Sequence, residues 1–238
     1  MRAERFSRCA AALCVAAAFF AGCGGSPPPI GAPGAMPQTS ATVTHAAHGK
    51  SWMLPEARTL KELLYVSDPK DSRVDVYDFE NGKRVGVLKG FISPSGQCVD
   101  SRGNVFIADF HLHELAEYAH GGATPVKTFG TRGYPNGCSV DPLTGDLAAS
   151  TWDTPSGSGN IVVWKNASGT PNVYTSVDFD NFFPPGYDDA GNLFAEGGGQ
   201  RKHGYHYGYG VAELPAGEFS LQRIALNHRI RTAASVMW

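Results

Sequence analysis

An all-β chain built as a β-propeller of about four blades is what the sequence predicts, and three observations carry the prediction. The first is a repeat. The stretch opening at Leu64 (LYVSD, then VDVYD, then a Gly-containing turn) comes round again at Val105 (VFIAD), Leu147 (LAAST) and Leu193 (LFAEG). A recurrence of roughly forty residues, with several short strands in each copy, is the pattern of propeller blades. The second is composition: 29 Gly, 16 Pro and 11% aromatic residues among 238 suit many tight turns. The third is periodicity. Val74 and Val76 alternate with Asp75 and Tyr77, and Ile161 and Val163 with Val162 and Trp164, which fits sheets packed on both faces.

Taken in order, residues 1–22 read as an export leader. Arg2, Arg5 and Arg8 precede an apolar run from Cys9 to Ala21 and then Gly22-Cys23. The run is too short for a permanent membrane span. Phe20-Ala21-Gly22-Cys23 resembles a bacterial lipobox, with Phe20 where Leu is usual. The resemblance implies a lipidated Cys23 at the mature N-terminus. It also implies an exported, cell-envelope protein, anchored in the outer membrane of a Gram-negative host because Gly24 carries no retention signal. Residues 23–50, rich in Gly, Pro, Ser and Ala, read as a tether, and their Pro27-Pro28-Pro29 run favours an extended spacer. His45 and His48 are solvated histidines within it.

Residues 51–238 are the blades. Trp52 and Met53 are expected to be the first apolar anchor, lying across the outside of a blade or an end of the ring. For the second copy the expected strands are Gln97–Asp100, Val105–Asp109, Glu114–Tyr118 and Val126–Phe129. Asp100 to Asn104, Asp141 to Asp146 and Asp189 to Asn192 read as turns between first and second strands, their Gly and Asn residues permitting positive φ. Each aspartate caps its own turn, since one loop supplies too few oxygens for calcium. The chain stops at AASVMW, in the register of another inner strand. Two readings follow: an incomplete arc of a six- or seven-bladed ring, with an exposed blade edge open to self-association, or a four-bladed ring closed by that segment.

Cys98 and Cys138 form an even pair in an exported chain. Aligning Pro94–Asp100 with Pro135–Asp141 offsets the two thiols by one residue, so each faces the other across one blade interface. A disulfide is one reading and two buried free thiols the other.

These elements, LYVSD, NVFIAD, SRGN and PNGCSVDPLTGD among them, resemble secreted NHL-type β-propellers, the broad class that shades into six-bladed gluconolactonase-like proteins. The resemblance covers Leu63 to Trp238 and specifies a fold better than a function. A gluconolactonase-like enzyme holds a divalent cation, calcium or zinc, through carboxylates and amides at the top of its channel. The candidates for such a set are Asp109, Asn136, Asp153 and Glu196, none of which sits in a family ligand motif. No cofactor is predicted otherwise.

The densest polar and aromatic run is His203, Tyr205, His206, Tyr207 and Tyr209, between the second and third strands of the fourth copy. Its tyrosines offer flat amphipathic contact area for a protein, peptide or glycan partner, and His203 with His206 alone make a weak metal site. His111 and His113 are expected to point to one side of an extended chain and to bond at a blade rim. A net charge of −2 with no basic cluster beyond the leader argues against nucleic acid. No nucleophile elbow, Walker loop or CxxC is present. The expectation is therefore a lipid-anchored, non-catalytic binding or scaffold module. The alternatives are a metal-dependent lactonase-like hydrolase and a fragment without function.

Overall fold

The computed structural model describes residues 49–154, 157–199, 201–202, 205–206, 208–228 and 230. The leader, Cys23 and nearly all of the tether lie outside these, as do His203, Tyr207 and the 231–238 segment.

Four antiparallel sheets follow one another along the chain. The first contains β1 (Trp52–Met53), β2 (Leu63–Asp68), β3 (Arg73–Asp78) and β4 (Arg84–Lys89) in the order β1-β4-β3-β2. The second runs in chain order through β5 (Pro94–Val99), β6 (Val105–Asp109), β7 (Glu114–Tyr118) and β8 (Pro125–Gly130). Then come β9 (Pro135–Val140) and β10 (Leu147–Thr151), a small hairpin of β11 (Asp153–Thr154) and β12 (Gly157–Ser158), and β13 (Ile161–Trp164) and β14 (Asn172–Tyr174). Of these, β9, β10, β13 and β14 make the third sheet. The last sheet has β15 (Phe179–Phe182) and β16 (Gly186–Tyr187) on one side of β17 (Leu193–Gly199). A hairpin of β18 (Arg201–Lys202) and β19 (Tyr205–His206) comes next, and then β20 (Tyr209–Leu214) and β21 (Gln222–Ile224) complete the sheet. The expected loop between the second and third strands of the fourth copy thus contains a hairpin of its own.

Trp52 and Met53 do lie on the outside of a blade, as a strand: β1 pairs with β4. By its place in the repeat β2 matches β6 and β10, and among the described residues its one strand partner is β3. Leu64 and Val66 on it are accordingly exposed.

Why the sheets stack can be read in β6. Its five residues VFIAD are all buried, although a half-exposed strand would alternate. Val105 and Ile107 join Val74, Val76 and Leu88 of the first sheet in one core cluster, while Phe106 and Ala108 join Leu147, Ala149, Val162 and Trp164 of the third in another. A third cluster unites Ala148, Ile161 and Val163 with Phe182, Leu193, Ala195 and Leu214. Each central sheet therefore has two apolar faces, and neither face can be covered except by a neighbouring sheet.

Edge strands of neighbouring sheets are stitched to one another by polar side chains, β2 to β5, β5 to β9 and β9 to β15. Ser67 Oγ donates to the Ser95 carbonyl (2.7 Å), Ser95 Oγ to that of Pro135 (3.1 Å), and Asn136 Nδ2 to that of Phe182 (2.5 Å). Cys98 and Cys138 form a disulfide between β5 and β9 with their Cα atoms 5.5 Å apart. Stacked sheets usually sit about 10 Å apart, so these two strands converge.

The turns behave as self-capping units. Gly103, Gly145 and Gly191 have φ of 82°, 75° and 81°. Asp100 Oδ1 accepts from the Arg102 and Asn104 amides (2.9 Å each). In the fourth copy the capping residue is Asp188 rather than Asp189. Asp188 Oδ1 accepts from the amides of Ala190 (2.9 Å) and Asn192 (2.8 Å), and Oδ2 from Asn192 Nδ2 (2.9 Å). Asp188 stands four residues before the Asn, as Asp100 does, and that distance lets one carboxylate reach both ends of the turn.

The Asn192 side chain first, against slight desolvation, and then the Asn192, Ala190 and Gly191 amides hold the Asp188 carboxyl below its usual value. For Asp100, burial pulls upward, but the bonds from Asn104 and Arg102 together outweigh it. A depressed folded pKa means that the stabilisation is complete above the unfolded value of about 4 and is lost as pH falls through the folded one. In urea titrations, the wild type should therefore lead Asp188→Asn at neutral pH, and the gap should narrow as pH falls below about 4. A gap unchanged by acid would show that the carboxylate does not cap the turn.

Candidate functional site

The end of the sheets where first strands begin and second strands finish holds most residues of interest. Asp109 closes β6 there and is buried. Its Oδ2 accepts from the Ile92 amide (2.6 Å) and its Oδ1 from those of Ser93 (3.0 Å), His111 and Leu112 (3.1 Å each). One carboxylate thus ties the β4–β5 connection to the turn after β6.

Asn136 is also committed: Ser150 Oγ donates to its Oδ1 (2.6 Å), and its Nδ2 donates to the Phe182 carbonyl. Asp153 is exposed, and its carbonyl accepts from the Tyr134 amide (3.1 Å). Glu196 is buried opposite Val211 on β17, and its carbonyl accepts from the Phe183 amide (2.9 Å). Among the described residues, no three His, Cys, Asp or Glu side chains gather as a metal site.

His111 and His113 lie in a turn, where the sequence suggested an extended chain. The Asp109 carboxylate gathers the amides of residues 111 and 112 and closes that turn, with His113 at φ 58°. Both rings nevertheless flank Tyr134, that of His113 at 4.4 Å between centroids and that of His111 at 6.4 Å.

Tyr134 belongs to an unbroken row of aromatic rings. Phe110 stacks on Tyr134 (4.9 Å, 26° between planes) and meets Trp152 edge-on (5.8 Å). Trp152 meets Phe183 (6.0 Å), and Phe183 meets Tyr209 (6.0 Å). The row crosses from the second sheet through the third to the fourth. Trp152 is 41% exposed, and Phe110, Tyr134, Phe183 and Tyr209 are each half-buried.

Glycine makes the middle of the row possible. A Cβ on Gly133 would collide with the Asp153 carbonyl oxygen, and one on Gly159 with the carbonyl oxygens of Thr151 and Trp152. With neither present, the Trp152 amide donates to the Tyr134 carbonyl (3.0 Å). That bond ties the two chain segments together where both side chains reach the Phe110 ring.

Of the polar and aromatic run singled out in the fourth copy, Tyr209 is the residue whose side chain is described, and it ends this row. Tyr205 and His206 form β19, which leaves from the same end of β17. Phe110, Tyr134, Trp152 and Phe183 were not among the sequence candidates. The signal available was positional: an aromatic directly after the second strand (Asp109-Phe110, Thr151-Trp152) and an aromatic-Pro pair where the first strand starts or ends (Tyr134-Pro135, Phe183-Pro184).

The opposite end carries a cleft of about 500 Å³ between the second and third sheets, lined by Val99, Arg102, Phe106, Leu143 and Asn166 among others. Arg102 in it is already held by the Asp100 carboxylate (3.0 and 3.1 Å).

No family model matches the chain, and no curated protein matches it. Among solved structures it is similar to dihydro-heme d1 dehydrogenase NirN in complex with DHE, at a TM-score of 0.51 and 18% identity, over 79% of this chain. The fold is a β-propeller. The chain spans 37% of the length of that structure, and an identity so low carries the fold alone.

Proposed function

We propose that this propeller is a binding module held at the bacterial cell envelope through lipid on Cys23, with the aromatic end as its ligand end. The observation that carries the reading is the row Tyr134, Phe110, Trp152, Phe183, Tyr209: five rings, each touching the next, left half-exposed at one end of three sheets. A soluble propeller has no structural reason to leave a run of rings in water, and grouped exposed aromatics mark contact surfaces. Two features of the sequence support the envelope. Phe20-Ala21-Gly22-Cys23 resembles a lipobox, and a Pro- and Gly-rich tether follows it. The repeats support NHL-type kinship.

Asp109 and Asn136, two of the four residues considered for a cation, spend their side-chain oxygens on the fold, which favours binding over a lactonase-like hydrolysis. The test is expression of the full chain in a Gram-negative host. The wild type should partition with outer membranes and Cys23→Ser should appear in the soluble envelope fraction. Equal partitioning of the two would remove the anchor. Calcium- or zinc-dependent lactone hydrolysis lost on Asp153→Ala would replace the binding reading with the enzymatic one.

A further inference from the structure

We infer that the aromatic row is a shelf for a neutral oligosaccharide chain, laid across the ends of the second, third and fourth sheets; this rests on the reading that this end binds a ligand. The chemistry of the row selects the ligand. A pyranose ring has C–H faces that rest on aromatic faces and hydroxyls around its edge that need polar partners. The shelf offers both. Its rings are half-exposed, and beside Trp152 stand the exposed Asp153 and, across the β11–β12 hairpin, Ser158. Ser158 Oγ donates to Asp180 Oδ1 (3.1 Å) at the start of the fourth sheet. His111, exposed beside Phe110, adds a hydrogen-bonding group at the other end.

Three competing ligand classes fit less well. An extended peptide needs free backbone partners, but the backbone here is already used. The Tyr134 amide bonds Asp153, the Trp152 amide bonds Tyr134 and the Thr151 amide bonds Asn160. A polyanion, single-stranded nucleic acid included, needs a basic track beside its stacking rings, and here the exposed Asp153 directly follows Trp152, with Asp180 bonded to Ser158 across the hairpin. A compact apolar ligand needs enclosure, whereas the shelf is open. Because the contacts run unbroken through three sheets, the matching ligand is a chain of several sugars.

The experiment uses the full chain purified in detergent, titrated with neutral hexasaccharides of β-1,4-linked glucose, β-1,3-linked glucose and β-1,4-linked N-acetylglucosamine. Binding is read by calorimetry and by tryptophan emission. At least one hexasaccharide should bind saturably and alter the emission of the wild type. Trp152→Ala and Tyr134→Ala should each weaken it by roughly tenfold with the melting temperature retained, and the corresponding disaccharide should bind far more weakly. Trp152→Phe, which keeps a ring, should keep most of the affinity and guards against a fold defect in the alanine variant. The inference falls if none of the three sugars binds at millimolar concentration, or if one binds the two alanine variants as well as the wild type. A Gly- and Pro-rich decapeptide is titrated alongside. If that peptide binds and no sugar does, the glycan assignment falls and the binding reading stands; if neither binds, both fall.

Discussion

Asp109→Ala is expected to lower the stability of the folded chain by about 3 to 4 kcal/mol, because four backbone amides lose a charged acceptor at once. The amides of Ile92 and Ser93 belong to the connection that enters the second sheet, and those of His111 and Leu112 to the turn beside the aromatic row. Their release should loosen both. Asp109→Asn keeps one acceptor oxygen and should lose about half as much. Urea unfolding of the three proteins, with and without a chelator, measures the effect and separates two roles for this residue. A clamp predicts the same loss in both conditions, whereas a cation ligand predicts a wild type that falls to the level of the variant once the cation is stripped. An alanine variant as stable as the wild type would end the clamp.

Reduction of the Cys98–Cys138 bridge, or the Cys98→Ser/Cys138→Ser double variant, is expected to cost about 4 kcal/mol through the entropy regained by the unfolded chain. The bridge closes a separation of 40 residues. It also joins two first strands at the seam of the second and third sheets, where Phe106, Phe129 and Trp164 pack in sequence (5.9 and 5.3 Å between centroids). Sheets free to part there would expose that cluster, so the reduced protein should also unfold faster. Urea midpoints and unfolding rates with and without reductant test this, with a thiol count in denaturant to verify the redox state. An unchanged midpoint would mean that packing alone holds the seam.

The two predictions differ in how far the sequence could have reached them. That the two thiols face each other followed from the one-residue offset of two aligned strands, because alternation on a strand is a local rule that carries into any stacked pair; the structure decided between a bridge and two free thiols. The role of Asp109 did not follow. Its partners at residues 92 and 93 lie a full strand pair away, and in the sequence it stood as one of four cation candidates. The capping aspartate was misplaced by one residue for a similar reason: Asp188 and Asp189 are adjacent, and only the reach of a carboxylate across the turn distinguishes them. His111 and His113 looked extended because the sequence does not show that a neighbouring side chain gathers their amides into a turn.

What the sequence by itself determined is the repeat, the strands and their two faces. Residues 105–109 observed as one buried strand, 126–129 found inside Pro125–Gly130, and 97–99 found inside Pro94–Val99, which starts three residues earlier than expected and leaves Asp100 to the turn, are outcomes of period-two patterning and turn chemistry, both of which act within a few residues. What only the tertiary structure decided is which side chains meet. The row of Phe110, Tyr134, Trp152, Phe183 and Tyr209 draws on three copies of the repeat, and each member taken alone is an ordinary aromatic at a strand boundary. Stacking the sheets aligns those boundaries at one end. The apolar faces between the sheets force that stacking, and so the same burial that builds the propeller also assembles its candidate site.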